Sequence, residues 1–402
     1  MKKLHFLIYL ILCALSVSAQ TNFKTGIWRG AIKSATGEVP FNFEVAQEAG
    51  KKVMYIINAS ERFKVNNIQT KADSLFIRMP LFDSEFRLKQ EGNQLSGQFI
   101  KHLGERDAAT PFNAQYGQKW RFSEKPEAPV YNVSGRWRAI FGDGAERDTT
   151  VGEFNQTGNR VTGTFLTTTG DYRYLEGTVS GNKLYLSCFD GGHAFLFKAD
   201  IASDKTITNG TFGRTPWTAV RDVKAKLPDA YSLTALKPGY KEIDFSFPDV
   251  NGQKVSLSGA RFKNKVVIIQ IMGSWCPNCM DETAYLVNYY KKYQSKGVEV
   301  LGLAYERTTD FEKSKKAVLQ ERQHLGVPYP LLITGFTSNK KEAAKSLPML
   351  NNVMAFPTTI IIDKKGEVRK IYTGFSGPGT GSYYTEFVNE FERLTDALLA
   401  EK

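Results

Sequence analysis

Two hydrophobic patterns divide this chain near residue 225. Before that point, short runs in which apolar and polar residues alternate are separated by Gly, Asn and Asp, which is typical of β-strands joined by tight turns. Long amphipathic helical patterns are missing from this part of the sequence. The first half is therefore predicted to be β structure, with its clearest strands at residues 52–58, 74–78, 161–166 and 183–187.

A weak internal repeat runs through this β region. The motif Gly-x-Trp-Arg begins at Gly26 and again at Gly135, and further matches follow in the same order. Matches that stay in register predict a duplication. The other pairs are Leu75 with Leu184 and Phe86 with Phe195, at the same spacing of 109 residues, then Gly97 and Phe99 with Gly210 and Phe212, at a spacing of 113.

The repeat predicts two small all-β units, each a sandwich or a barrel, over residues 20–122 and 130–225. Residues 123–129, rich in Pro and Glu, are the predicted linker. Gly-x-Trp on a first strand resembles the opening of calycin-type barrels. The motif is short, so a structural core is the primary interpretation and a ligand pocket is the alternative.

After residue 225 the pattern changes to alternating strands and helices. Repeated βαβ units predict a central, mostly parallel sheet with helices on both faces. A hairpin around Asn251-Gly252 precedes them. The predicted strands are 266–272, 298–304, 330–333, 358–362 and 368–372, and the predicted helices are 277–295, 310–325, 340–350 and 383–400.

The N-terminus has the pattern of an export signal. Lys2 and Lys3 precede an apolar stretch over residues 4–17, and small residues follow where a signal peptidase would cut. The stretch is shorter than the roughly 18 residues of a convincing membrane span, so a cleaved signal over residues 1–19 is predicted and an uncleaved anchor is the alternative. Cys13 does not indicate a lipoprotein, because bulky Leu12 precedes it. We expect a periplasmic or otherwise exported protein.

The charge pattern excludes few functions. The formal net charge is +12, and much of the excess lies in Lys pairs that are typical of solvated helix faces. No nucleic-acid module is recognisable, so no nucleic-acid partner is expected. Attraction to an anionic membrane surface stays open.

Cysteine usage points to redox chemistry. Removal of the signal leaves Cys188 and the close pair Cys276-Pro277-Asn278-Cys279, which follows a buried strand pattern and opens a helix pattern. This spacing brings two sulfurs within disulfide reach at a helix N-terminus. A structural disulfide or half a zinc site is the alternative, but no second Cys or His pair supplies the other zinc ligands. We therefore expect neither a metal nor a cofactor, and we expect Cys188 to be a buried apolar residue.

Three segments in a fixed order give a family resemblance. They are 244–249 with the hairpin at Gly252, the Trp275-Cys276-x-x-Cys279 motif, and 355–359 followed by Asp363 and Gly366. With them, residues 237–402 resemble the thioredoxin superfamily, and within it the exported TlpA-like thiol-disulfide oxidoreductases with an AhpC/TSA-type domain. The resemblance implies an α/β thioredoxin-like domain that carries a redox-active disulfide.

The positions of the two cysteines predict different roles for their thiols. Cys276 lies where the strand turns into the helix, where unpaired N–H groups and the helix dipole favour the nucleophilic thiolate. Cys279, one turn further along, would resolve the mixed disulfide. Glu282 follows on the same helix face, and the resemblance implies that it tunes the thiols or shuttles protons. An ordinary surface glutamate is the alternative, and Asp281 is expected to face elsewhere.

The resemblance also implies a substrate-binding surface. Pro357 lies where the superfamily holds a cis proline against the Cys pair, and the backbone of Phe356 would pair with the substrate chain. Trp275 would form an apolar shelf beside the nucleophile, although aromatic packing alone could explain it. The sequence departs from cytosolic thioredoxins at Gln270, where those proteins have a buried acid, and at Pro277-Asn278, which leaves the reduction potential open.

These features favour an exported enzyme that reduces protein disulfides, kept reduced by a membrane thiol-disulfide electron donor, with cytochrome c maturation as one setting. A peroxidase is the second hypothesis, but Gly273 stands where peroxiredoxins need Thr or Ser. The third hypothesis is a binding protein whose β units hold a protein or a glycan on which the redox domain acts.

Overall fold

A computed structural model describes residues 23–103, 106–144 and 147–401. The predicted export signal lies outside the described residues. No helix among those described is long and apolar enough to span a membrane.

The first β unit is a nine-stranded antiparallel sheet in the order β4-β3-β2-β1-β9-β8-β7-β6-β5. Its inward side chains are large and apolar, and they form one continuous core. The strands are β1 (Gly26–Ser34), β2 (Gly37–Glu48), β3 (Lys51–Asn58), β4 (Glu61–Val65), β5 (Asn67–Lys71), β6 (Ser74–Arg78), β7 (Ser84–Glu91), β8 (Gln94–His102) and β9 (Asp107–Tyr116).

The second β unit is a closed barrel. Its sheet runs in the order β11-β10-β18-β17-β16-β15-β14-β12-β13, and pairing between β11 and β12 closes the ring, which removes exposed sheet edges. The strands are β10 (Gly135–Phe141), β11 (Asp148–Thr157), β12 (Arg160–Thr167), β13 (Gly170–Asp171), β14 (Leu175–Ser180), β15 (Lys183–Phe189), β16 (Ala194–Ser203), β17 (Thr206–Phe212) and β18 (Thr215–Arg221).

Both units repeat the same packing around a tryptophan. The Trp28 ring donates its N–H to the carbonyl of Lys24 at 3.0 Å, and Trp137 donates to Val133 at 2.8 Å. Both indoles are fully buried. Apart from β4 and β13, the strand order of one unit reproduces that of the other. The duplication inferred from Gly-x-Trp thus has a structural counterpart, with Trp as a core residue.

The C-terminal domain has the predicted α/β organisation, with a five-stranded sheet in the order β23-β22-β21-β24-β25. A two-stranded hairpin, β19 (Ser246–Pro248) with β20 (Lys254–Ser256), precedes it. The other elements are β21 (Val266–Met272), α1 (Pro277–Tyr293), β22 (Val298–Glu306), α2 (Phe311–Leu325), β23 (Leu331–Thr337), α3 (Lys340–Ser346), β24 (Thr358–Ile362), β25 (Val368–Thr373) and α4 (Ser382–Ala400).

The expectation of a mostly parallel sheet was wrong. β21, β22 and β23 pair in parallel, but β24 is antiparallel to β21 and β25 is antiparallel to β24. The short turn between β24 and β25 makes that pair antiparallel, because a parallel pair needs a long crossover connection. The mixed sheet places the start of β24 beside the end of β21, and that junction holds the Cys pair.

The β units contact each other and the C-terminal domain through buried side chains. Phe189 of the second unit packs against Phe41 of the first, with ring centroids 4.5 Å apart. Met280 of α1 belongs to the core cluster of the first unit. The domain boundaries at 122, 130, 225 and 237 remain a prediction, because contacts between the units do not show at which residue one unit ends and the next begins.

Candidate active site

The two cysteines lie at the N-terminus of α1. Cys276 is the N-cap residue, and its sulfur accepts the N–H of Cys279 at 3.2 Å. Pro277 fills the first helical position, where a missing N–H costs nothing. The two thiols are not bonded to each other in this structure.

Burial distinguishes the two thiols. Cys276 is 4% exposed and Cys279 is fully buried. Burial raises the pKa of the Cys279 thiol well above its usual value, and the hydrogen bond with Cys276 adds to this. Cys279 is therefore protonated and sheltered, which suits the second of two attacking thiols.

The loop before β24 faces the Cys276 sulfur. The Phe356-Pro357 peptide bond is cis, and the Cys276 thiol donates to the Phe356 carbonyl at 3.3 Å. Within the described part of the chain, the N–H groups of Ala355 and Phe356 donate no hydrogen bond.

Trp275 is fixed beside the nucleophile. Its indole N–H donates to the Tyr305 carbonyl at 2.9 Å, and its ring meets Phe356 edge-on with centroids 5.4 Å apart. The Arg307 guanidinium lies 5.7 Å from the ring centroid. Trp275 is thus a partly exposed apolar surface held by specific contacts.

Glu282 is buried on the inner side of α1, so the surface-glutamate alternative was wrong. One carboxyl oxygen accepts the Thr359 hydroxyl at 2.6 Å, and Oε2 has no hydrogen-bond partner among the described residues. Burial raises its pKa to about 7, although the bond from Thr359 opposes that shift. A carboxyl group with this pKa can accept or release a proton near neutrality.

Gln270 takes the position of the buried acid of cytosolic thioredoxins. Its side-chain amide donates to the Cys279 carbonyl at 3.1 Å and accepts the Thr283 hydroxyl at 3.0 Å. Both contacts are structural and neither provides a titratable group. Glu282 therefore remains the candidate for proton transfer on this side of the pair.

An arginine of the second β unit holds the first turn of α1. Arg173 donates to the Pro277 carbonyl at 3.2 Å and to the Asp281 carboxylate at 2.5 Å, and it also pairs with Glu61 of the first unit. Burial raises the pKa of Asp281 to about 7 even though Arg173 opposes that shift. Asp281 does point away from the thiols, but its partner lies in another unit, which no local sequence signal indicates.

The second β unit also approaches Asn278 closely. Gly170 has φ +145°, and a side chain there would lie 2.7 Å from the Asn278 amide oxygen. Asp171 accepts the Gly377 N–H at 2.7 Å on the other side of the same turn. These contacts border an open cleft of about 350 Å³ that has the Cys276 motif on one side.

Residues from both parts of the molecule line this cleft. Trp275, Cys276 and Phe356 come from the C-terminal domain. The second β unit contributes Tyr172, His193 and Phe195, which the sequence did not single out as site residues. A substrate that reaches Cys276 through this cleft would therefore also contact the second β unit.

The C-terminal part of the chain is similar to known proteins. Residues 238–371 match the model of the AhpC/TSA family. The chain is 31% identical over 143 residues to the thiol-disulfide oxidoreductase ResA of Geobacillus kaustophilus, which covers 35% of this chain and 72% of that protein. It is 29% identical over 140 residues to ResA of Bacillus subtilis, covering 35% of this chain and 69% of that protein. A thioredoxin family thiol:disulfide interchange protein of Chlorobium tepidum matches with a TM-score of 0.31 at 21% identity, over 41% of this chain and 100% of the other.

Proposed function

Since this chain belongs to the thiol-disulfide oxidoreductases related to ResA, we propose that it reduces disulfide bonds of proteins outside the cytoplasm through a Cys276-Cys279 dithiol/disulfide cycle. The observation that carries the proposal is the placement of the Cys276 sulfur. It lies at the N-terminus of α1, against the carbonyl of Phe356 and near two backbone N–H groups, of Ala355 and Phe356, that donate no hydrogen bond to the described residues. A substrate chain could pair with that backbone while its disulfide reaches the sulfur.

The cycle has two exchange steps. The Cys276 thiolate attacks one sulfur of the substrate disulfide, which forms a mixed disulfide and releases the other substrate sulfur. Cys279 then loses its proton to Glu282 and attacks the Cys276 sulfur, which releases the second substrate thiol. Two electrons pass to the substrate, and the protein is left with a Cys276-Cys279 disulfide.

Trapping of the mixed disulfide tests this assignment. In full-length Cys279→Ser, attack by Cys276 proceeds but resolution cannot, so mixed disulfides with substrate should accumulate. Cys276→Ser should trap none, because the buried Cys279 does not meet the substrate. Cys188→Ser is the matched control, since Cys188 is fully buried in the second β unit, and it should behave as wild type. Equal trapping by the two active-site variants would contradict the proposal.

The proposed setting is an exported one. The signal-like N-terminus supports export, and an oxidised reductase outside the cytoplasm needs a membrane thiol-disulfide electron donor to return it to the dithiol. Cytochrome c maturation is a setting that would need such a reductant. Cell fractionation with alkylation of free thiols tests both points: the protein should be exported and largely reduced, and it should become oxidised when the donor is lost.

A further inference from the structure

A histidine of the second β unit is held in a fixed orientation by a buried carboxylate. Asp190 is fully buried, and its Oδ1 accepts the N–H groups of Gly192 at 2.8 Å and His193 at 2.6 Å. The His193 Nδ1 lies 3.2 Å from Asp190 Oδ2. Burial alone would raise the pKa of Asp190, but His193 and its other partners lower it to about 2. The imidazole is thus paired with an ionised carboxylate.

The turn that carries this pair is fixed from several sides. The Asp190 N–H donates to the His193 carbonyl at 3.2 Å, and the Ser84 hydroxyl of the first β unit donates to the Gly191 carbonyl. The His193 ring stacks on Phe195 with centroids 6.0 Å apart and meets Phe82 edge-on at 5.4 Å. These contacts leave the imidazole little freedom to rotate.

The second nitrogen of this imidazole is not engaged by the contacts that hold the ring. His193 Nε2 makes no hydrogen bond within the part of the chain that the structure describes. His193 lines the cleft of about 350 Å³ from the second β unit, and Cys276 lines it from the C-terminal domain. An imidazole whose Nδ1 is bonded to a carboxylate and whose Nε2 is free is suited to move a proton at Nε2.

We propose that His193 is a catalytic acid-base group for the first exchange step, acting at Nε2 on the sulfur atoms in the cleft. This inference rests on the proposed function. His193 takes the proton of the Cys276 thiol, the resulting thiolate attacks the substrate disulfide, and a bond forms between the Cys276 sulfur and one substrate sulfur. The bond between the two substrate sulfurs breaks, and the departing sulfur receives the proton from Nε2. His193 returns to its neutral state, and the Cys279 proton is left to Glu282.

The assignment predicts a dependence on the leaving thiol. A basic alkyl thiolate leaves slowly unless it is protonated, whereas an acidic aromatic thiolate leaves without help. We therefore compare reduction of a peptide with an alkyl disulfide and of a nitrobenzoate disulfide by the full-length dithiol protein. His193→Gln and His193→Phe should each slow both reductions, because both require removal of the Cys276 proton, and the loss with the peptide should exceed the loss with the aromatic disulfide by about tenfold or more.

Two variants separate proton transfer from packing. His193→Phe keeps a ring against Phe195 and Phe82, whereas His193→Gln removes it, and circular dichroism verifies the fold of each. His324→Gln is the control, because His324 also packs on a phenylalanine, Phe63, but does not line the cleft. The proposal would be overturned if the variants lost activity equally with both disulfides. It would also be overturned if only His193→Gln lost activity, or if reduction of the peptide were unchanged. Failure of wild type to reduce either disulfide would instead overturn the proposed function.

Discussion

Glu282 has a carboxyl group in surroundings that favour its neutral form. It is 1% exposed, and one of its oxygens lacks a hydrogen-bond partner among the described residues. Its pKa of about 7 results mainly from that burial. In the folded protein the group is therefore mostly protonated below pH 7 and mostly ionised above it. As the ionised form alone can accept the proton of Cys279, resolution should depend on pH in this range.

The rate of resolution is expected to rise as pH increases through about 7, following ionisation of Glu282. Glu282→Gln should lose this rise and should be slower at pH 8 by about tenfold or more. Single-turnover release of the second substrate thiol from a preformed mixed disulfide measures the step. Glu312→Gln, an exposed glutamate on α2, is the control and should keep the wild-type profile. The same inflection in Glu282→Gln and wild type would rule out this role.

Part of this site could be predicted from the residues alone. The Cys276-x-x-Cys279 spacing between a buried strand and a helix pattern indicates redox chemistry without any structure. Glu282 is buried because its side of α1 packs against the sheet. The local sequence does not show how closely the helix and the sheet pack. His193 gave no signal, because the cleft that it lines forms only when the second β unit packs beside the Cys pair, which lies far along the chain.

At the scale of elements, one turn of the second β unit fixes the start of α1. Arg173 is 1% exposed at its side chain, and its partners Asp281 and Glu61 are 11% and 12% exposed. Arg173 also donates to the carbonyl of Pro277, which is the residue directly after the nucleophile Cys276. The ion pairs join a loop of the second unit and the start of β4 in the first unit to the helix that carries both thiols.

Arg173→Met should destabilise the protein by about 3–5 kcal/mol, because removal of one partner leaves two largely buried carboxyl groups without their cation. Denaturant unfolding of the full chain measures the free energy of unfolding. Arg160→Met is the control, since Arg160 pairs with Glu176 but its side chain is 58% exposed. That variant should lose less than about 1 kcal/mol. Equal midpoints for Arg173→Met and Arg160→Met would contradict this account of the turn.

The elements themselves were largely predictable. The run Val266–Met272 is buried at every position and forms β21 over the predicted residues. The helix predicted over 340–350 ends earlier, at Ser346, and the following residues lead into the loop before β24. The direction of β24 was not predictable from hydrophobic pattern, because a buried strand has the same composition whether its neighbour is parallel or antiparallel.

At the scale of the whole molecule, the β units are part of the surroundings of the active site. The second unit supplies one side of the cleft, and the first unit contacts the turn that carries His193 through Ser84. The duplication was predictable from Gly-x-Trp and its spacing. The packing of the barrel against α1 was not predictable, because it depends on single contacts, such as that of Gly170 with Asn278, which leave no periodic pattern in the sequence.

If electrons flow from this protein to its substrates, the reduction potential of the Cys276-Cys279 pair in the full chain should be low. A pair that donates electrons to protein disulfides must have a lower potential than the disulfides it reduces. Equilibration with dithiol/disulfide buffers, followed by alkylation of free thiols, measures the potential. We expect a value near that of thioredoxin, about −270 mV, whereas a value near about −120 mV, that of a strong oxidant, would show that electrons flow the other way.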